Sequence, residues 1–198
     1  MFTVLRNTWA LFFGFALICL GHGLQGTLIG VRSVIEGFSF VSAGVIIAGY
    51  YVGYLAGAIL IPIFLRRVGH IRVFAALASL ASIAILLHSI FLDPVSWFII
   101  RIITGISLSG IYVIMESWLN DKSTNQTRGQ LLGIYMIVTF VFVGLGQLLL
   151  NLSDPSKVDL FILVSILLSF ALLPILLSKT DQPDITNPKY FSIKEFYI

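Results

Sequence analysis

The sequence predicts an all-α membrane protein with six transmembrane helices. Hydrophobic residues make up 58% of the 198 residues and charged residues only 11%, whereas about a quarter of the residues in a soluble domain are charged. The mean hydropathy is +1.02. The apolar residues fall into six long stretches, and roughly 20 apolar residues cross a bilayer as a helix. Together these observations exclude a soluble fold.

The bounds of the six spans follow from these stretches and from the turn residues between them. The spans cover residues 8–31, 39–65, 73–92, 96–119, 129–152 and 159–178. The first is too long for the apolar core of a signal peptide, so we interpret it as a retained helix. The short connections contain Glu36 with Gly37, Gly69, Asp93 with Pro94, and Asp154 with Pro155. These residue types favour turns, and no soluble domain fits between the spans.

The fourth span contains two charged residues, Arg101 near one end and Glu116 near the other. An arginine inside a span costs a few kcal/mol, so it predicts a functional residue that faces a partner or a water-filled cavity. The two charges are 15 residues apart, about 22 Å along a helix. They therefore cannot pair with each other and belong to different sites.

Polar side chains on the other spans predict which helices face that cavity. His22, Gln25 and Arg32 are spaced by three and seven residues, which places them on one stripe of the first span. We expect spans one, two, four and five to face inward and spans three and six to face lipid. The candidate cavity residues are His22, Gln25, Arg32, Tyr50, Tyr54, Arg101, Tyr112 and Gln147. Helix packing is the alternative role, and a polar contact between membrane helices contributes only about 0.6 kcal/mol.

Small residues on the second and fifth spans predict close contacts between helices. Gly49, Gly53 and Gly57 recur every four residues, a spacing that lets another helix approach. Gly144 and Gly146 either pack in the same way or loosen the fifth span where it must bend. Packing is the interpretation that we favour for both groups.

The positions of Lys and Arg predict that both termini are cytoplasmic, because cytoplasmic loops retain basic residues. The outer side then holds Arg32 and Lys157, and Arg101 lies in the membrane. The inner side holds nine of the twelve basic residues: Arg6, Arg66, Arg67, Arg72, Lys122, Arg128, Lys179, Lys189 and Lys194. Since these residues sit in short loops, the net charge of +3 sets orientation and does not indicate a nucleic-acid partner.

Two motifs resemble those of the major facilitator superfamily. The segment RVGHIR at residues 67–72 is similar to the end of the family's first inner loop, and RIITG at residues 101–105 is similar to its Arg-x-x-x-Gly pattern. Further segments around Glu116, Arg128 and Tyr135 are similar to a bacterial sugar-transporter-like branch of undefined substrate. The resemblance implies the N-terminal six-helix half of the family fold, in a bacterial plasma membrane, with residues 179–198 as the start of the central loop.

The resemblance also implies a cytoplasmic gate and a partner. The gate candidates are Arg66, Arg67, Gly69, Arg72, Glu116 and Arg128. Arg66 stands where the family has an Asp and Pro62 where it has a Gly, so Glu116 becomes the nearest acidic residue to meet the basic loop. Family members have two six-helix halves. We therefore expect a second bundle as partner, either a further half or a second copy.

Three classes of function compete for this sequence. A secondary transporter, or half of one, would move a small solute by alternating access, with a proton as the candidate coupling ion. A truncated, non-transporting scaffold is the alternative. An intramembrane enzyme is a third class, but spans five and six contain no His to activate a Ser, and no Asp pair or metal-ligand cluster stands out. We expect neither cofactor nor metal. Arg101 suits an anionic or hydroxyl-rich solute, or a carboxylate from a second half.

Overall fold

The chain folds into a bundle of six long helices. This computed structural model describes residues 2–178, with side chains from residue 8 onward, so the predicted tail at 179–198 lies outside the described residues. The helices are α1 (Phe2–Ile35), α2 (Phe40–Val68), α3 (His70–Ile90), α4 (Pro94–Lys122), α5 (Arg128–Leu148), α6 (Asp159–Phe170) and its short continuation α7 (Leu172–Leu177). Between residues 2 and 178 there is no strand. Six segments are long and apolar enough to cross a membrane, which confirms the predicted fold class.

The ends of the helices differ from those of the predicted spans by a few residues. A 3-10 turn (Leu149–Leu152) prolongs α5, and α1 continues to Ile35, four residues past the predicted limit. At the start of α4, the Asp93 carboxylate accepts a hydrogen bond from the backbone N–H of Ser96 at 2.9 Å. Hydrogen bonds from Ser96 also lower the pKa of the Asp93 carboxyl, because they favour its charged form.

The packing order places α1 and α4 at the centre. Helix α2 packs along α4 and α5 packs along α1, while α3 and α6 lie against each other and against the backs of α4 and α1. Consequently α1 and α4 are the most buried spans, and α5 is the least buried. The bundle therefore has one side covered by α3 and α6 and an opposite side where α2 and α5 are open.

Glycines make the contact between α2 and α4 unusually close. A Cβ added to Gly53 would overlap the carbonyl oxygen of Ile102, and a Cβ added to Gly105 would overlap the carbonyl oxygen of Tyr50. Since both obstacles are backbone atoms, no side-chain rotation relieves the overlap. The predicted packing role of the α2 glycines is confirmed at this crossing.

A second glycine crossing joins α1 and α5. Gly23 lies against the carbonyl oxygen of Val143, and Gly146 lies against that of Leu20, each without room for a Cβ. Gly144, in contrast, has no neighbouring atom within 4 Å of the position that a Cβ would take. Of the two glycines singled out in this span, Gly146 therefore packs and Gly144 does not.

Candidate functional site

A cavity of about 300 Å³ opens on the side of the bundle away from α3 and α6. Its lining residues are His22, Tyr50, Tyr54, Tyr112, Tyr135, Met136, Thr139 and Phe140. They come from α1, α2, α4 and α5, the four helices that the sequence predicts to face inward. This volume lies at the lower end of the range for small-molecule sites.

His22 connects three helices at the centre of this cavity. Its Nε2 lies 3.2 Å from the hydroxyl of Tyr50, and its Nδ1 lies 3.1 Å from the hydroxyl of Tyr112. A neutral imidazole has one N–H donor and one acceptor nitrogen. One tyrosine therefore donates to the ring while the other accepts from it. The bridge fixes α1 to both α2 and α4.

Arg101 lies directly behind the Tyr50 ring, with the guanidinium carbon 4.6 Å from the ring centroid. This distance is typical of a cation–π interaction. The side chain is only 6% exposed, and its Nε is buried without a hydrogen-bond partner. Over the described part of the chain, no carboxylate pairs with it. A buried guanidinium without a negatively charged partner is unusual, because buried charges are normally paired.

Gln25 is a second buried polar residue without partners. It lies one helical turn from His22 on α1 and is fully buried. Neither its amide nitrogen nor its amide oxygen has a hydrogen-bond partner among the residues described. The two unpaired side chains, Gln25 and Arg101, thus flank the His22 bridge from two central helices.

Glu116 lies one turn from Tyr112 along α4, on the open side of the bundle. Its carboxylate accepts a hydrogen bond from the hydroxyl of Tyr135 at 3.1 Å, and the side chain is exposed. We expected Glu116 to meet the basic inner loop. Instead, in the described region the ion pair within 4 Å is that of Arg32 with Glu36, so Glu116 interacts with α5 and not with the loop.

The connection between α2 and α3 is held by Gly69 and His70. Gly69 has a φ of 94°, in the range that favours glycine, and it both ends α2 and precedes α3. The Nε2 of His70 lies 3.0 Å from the hydroxyl of Ser117 on α4. The arginines predicted for the gate are all exposed: Arg66, Arg67, Arg72 and Arg128.

Arg32 and Gln147 lie away from the cavity. The Nε of Arg32 donates to Glu36 at 2.6 Å, and its Nη1 donates to the carbonyl oxygens of Pro155 and Ser156. Arg32 thereby ties the α1–α2 connection to the α5–α6 connection. It shares a stripe with His22 but lies ten residues further along α1, about 15 Å. Gln147 is exposed on α5 and does not line the cavity.

The sequence predicted that α5 faces inward, but its lining residues were not among the candidate cavity residues. Tyr135, Met136, Thr139 and Phe140 all line the cavity. Tyr135 and Thr139 are four residues apart, as are Met136 and Phe140, so each pair lies on one face of α5. This spacing is visible in the sequence. Met136 and Phe140 carry no polar group, so a search for polar residues in apolar spans passed over them.

The six-helix bundle with a cavity on its open side defines an integral, multi-pass membrane protein. A model of the Major Facilitator Superfamily matches residues 11–193, and the chain belongs to this family. It is 28% identical over 193 residues to the uncharacterized MFS-type transporter YcaD of Escherichia coli O6:K15:H31 (strain 536 / UPEC), a match that covers 98% of this chain and 50% of the relative. YcaD of Escherichia coli O139:H28 (strain E24377A / ETEC) is 27% identical over the same shares. The chain spans about half the length of these relatives.

Proposed function

We propose that this chain is one half of a secondary transporter that moves a small solute by alternating access against a second six-helix bundle. The observation that carries the proposal is the position of the cavity, which four helices line from one side only. In this family the solute is held between two halves near the midplane of the membrane. A proton is the candidate coupling ion.

The second bundle is proposed from the open face and from the relatives. Met136 and Phe140 line the cavity yet remain exposed, and the Glu116 carboxylate is exposed within the span. A carboxylate facing lipid is costly, so a second bundle that covers this face would stabilise the protein. The relatives are about twice as long as the chain. The covering bundle is either a further half of that kind or a second copy.

We further propose that both termini lie in the cytoplasm, because nine basic residues fall on one side and two on the other. The bacterial relatives support a bacterial plasma membrane as the location. A reporter that is active only in the cytoplasm should work when fused after Arg72, Lys122 or Ile198. The same reporter should fail after Asp93 or Asp154. Activity in the reverse pattern would contradict this orientation.

The role of the cavity can be tested in the assembled carrier with Arg101→Gln, which we expect to abolish solute uptake. Removing a buried charge that has no partner does not leave another charge unpaired, so membrane insertion and folding should be retained. Lys157→Gln removes a positive charge from an exposed loop and should leave uptake unchanged. Normal uptake by the Arg101→Gln variant would reduce Arg101 to a structural role.

Glu116→Gln should have a different effect in the same assay. Its partner Tyr135 donates from α5, so the contact joins two helices at the inner end of the cavity. We expect the rate of inward opening to change more than the affinity for solute, as is usual for residues that control opening.

A further inference from the structure

We propose that the cavity binds an organic monoanion, a carboxylate attached to an apolar body, with its charge stabilised by Arg101. This inference rests on the proposed function, because it takes the cavity as the solute site. It is narrower than the anionic or hydroxyl-rich solute that Arg101 predicts from the sequence. Two sets of contacts support it, the unbalanced charge behind Tyr50 and the hydrogen bonds already made in the cavity wall.

The electrostatic balance of the site favours an anion. The Arg101 guanidinium lies one ring away from the cavity, stacked on the Tyr50 side chain that forms its wall. The carboxylates on the same helix, Glu116 and Asp121, are 15 and 20 residues away, about 22 and 30 Å. Glu116 borders the cavity on the side of Tyr135, away from Arg101. Glu36 is already paired with Arg32. An anion at the Tyr50 end of the cavity therefore lies near a positive charge with which no carboxylate of the described chain forms an ion pair.

The hydrogen-bonding capacity of the wall argues against a polyhydroxylated neutral solute. The hydroxyls of Tyr50 and Tyr112 bind His22, and the hydroxyl of Tyr135 donates to Glu116. The Thr139 hydroxyl donates to the backbone carbonyl of Tyr135 at 2.8 Å. A sugar would have to replace or share these partners, and a buried hydroxyl left unpaired is costly.

Apart from the Tyr54 hydroxyl, the surfaces that remain free are apolar or are donors near Arg101. Tyrosine ring faces, Met136 and Phe140 form the wall against which an apolar body packs. The buried amide of Gln25, one turn from His22, has an N–H group without a partner. A carboxylate directed toward the Arg101 side with its apolar body toward α5 satisfies both parts of the site.

Benzoate, benzamide and glucose distinguish these possibilities in a binding experiment on the chain assembled with its second bundle, in lipid nanodiscs at pH 7. Benzoate and benzamide have nearly the same shape and differ in charge. Isothermal titration should show benzoate binding about tenfold or more tightly than benzamide, the preference expected from one partly shielded charge nearby, and glucose should not compete. Equal affinities for the first two, preferential binding of glucose, or binding of none of the three would overturn the proposal.

Variants then assign the preference to Arg101. Arg101→Gln should remove the preference for benzoate over benzamide, whereas Arg101→Lys, which keeps the charge, should retain most of it. Lys157→Gln should bind benzoate as the unmodified chain does. Full benzoate preference in both Arg101 variants would place the anion elsewhere. Since the assay measures binding alone, benzoate binding without any uptake would contradict the proposed transport and leave the anion site standing.

Discussion

Gly53→Ala is expected to prevent the close packing of α2 on α4 and to leave little folded protein in the membrane. The added methyl group would overlap the carbonyl oxygen of Ile102, which is a backbone atom and cannot rotate away. Overpacking costs about 1–3 kcal/mol where side chains can adjust, and more where the backbone must shift. In an unobstructed helix the same change stabilises by about 0.5–1 kcal/mol. Gly53→Ala is therefore expected to destabilise the bundle, whereas the same change in an unobstructed helix would stabilise it.

Gly44→Ala is the matched control on the same helix, because no atom lies within 4 Å of the position its Cβ would take. This variant should be as stable as the unmodified chain or slightly more stable. Both can be compared by thermal unfolding of detergent-extracted protein and by the yield of monodisperse chain. Equal stability of the two variants would show that the α2–α4 crossing is looser than described.

The fold could be predicted from the sequence because the bilayer allows so few solutions. A spanning segment must satisfy its own backbone hydrogen bonds, so apolar stretches of sufficient length are helices, and six of them were recognisable. The Gly49, Gly53 and Gly57 series identified one close crossing. The other crossing was predicted on one side only: a packing role was favoured for Gly146, whereas Gly23 on the facing helix forms no repeat in the sequence and was not singled out.

The candidate site could be predicted only in part. Helical periodicity indicates which side of a helix a residue faces, but not how far along the bundle it lies. His22 and Arg32 share a stripe, yet Arg32 lies at the end of α1 and binds the carbonyl oxygens of another connection. His22, Tyr50 and Tyr112 were candidates, and the structure brings them into hydrogen-bonding distance. Their pairing depends on how α1, α2 and α4 pack, which no local pattern specifies.

The expected partners of Glu116 illustrate a second limit. Charge and position along the chain favoured the inner arginines, whereas the structure places the carboxylate against the hydroxyl of Tyr135. Exposed arginines lose little by remaining in water, since surface ion pairs contribute only about 0–1 kcal/mol. Sequence proximity to a basic loop is therefore weak grounds for an ion pair.

The second large effect concerns the chain on its own, which we expect not to transport. Alternating access needs a site that is sealed first from one side and then from the other by two bundles moving against each other. The single bundle lines the cavity from one side only. Without a partner, polar groups such as the Glu116 carboxylate would face lipid, where they are costly. Isolated chains should therefore self-associate or be unstable.

Reconstitution into liposomes measures directly whether transport depends on a second bundle. Counterflow of labelled benzoate is the probe, and unmodified benzamide is the neutral competitor. The chain should be assayed as a monomer, as a dimer, and together with the C-terminal half of a full-length relative such as YcaD. We predict no exchange by the monomer and exchange by at least one of the two-bundle assemblies, lost again with Arg101→Gln. Exchange by the isolated monomer would contradict the need for a second bundle. Absence of exchange from every assembly that binds benzoate would favour a non-transporting scaffold.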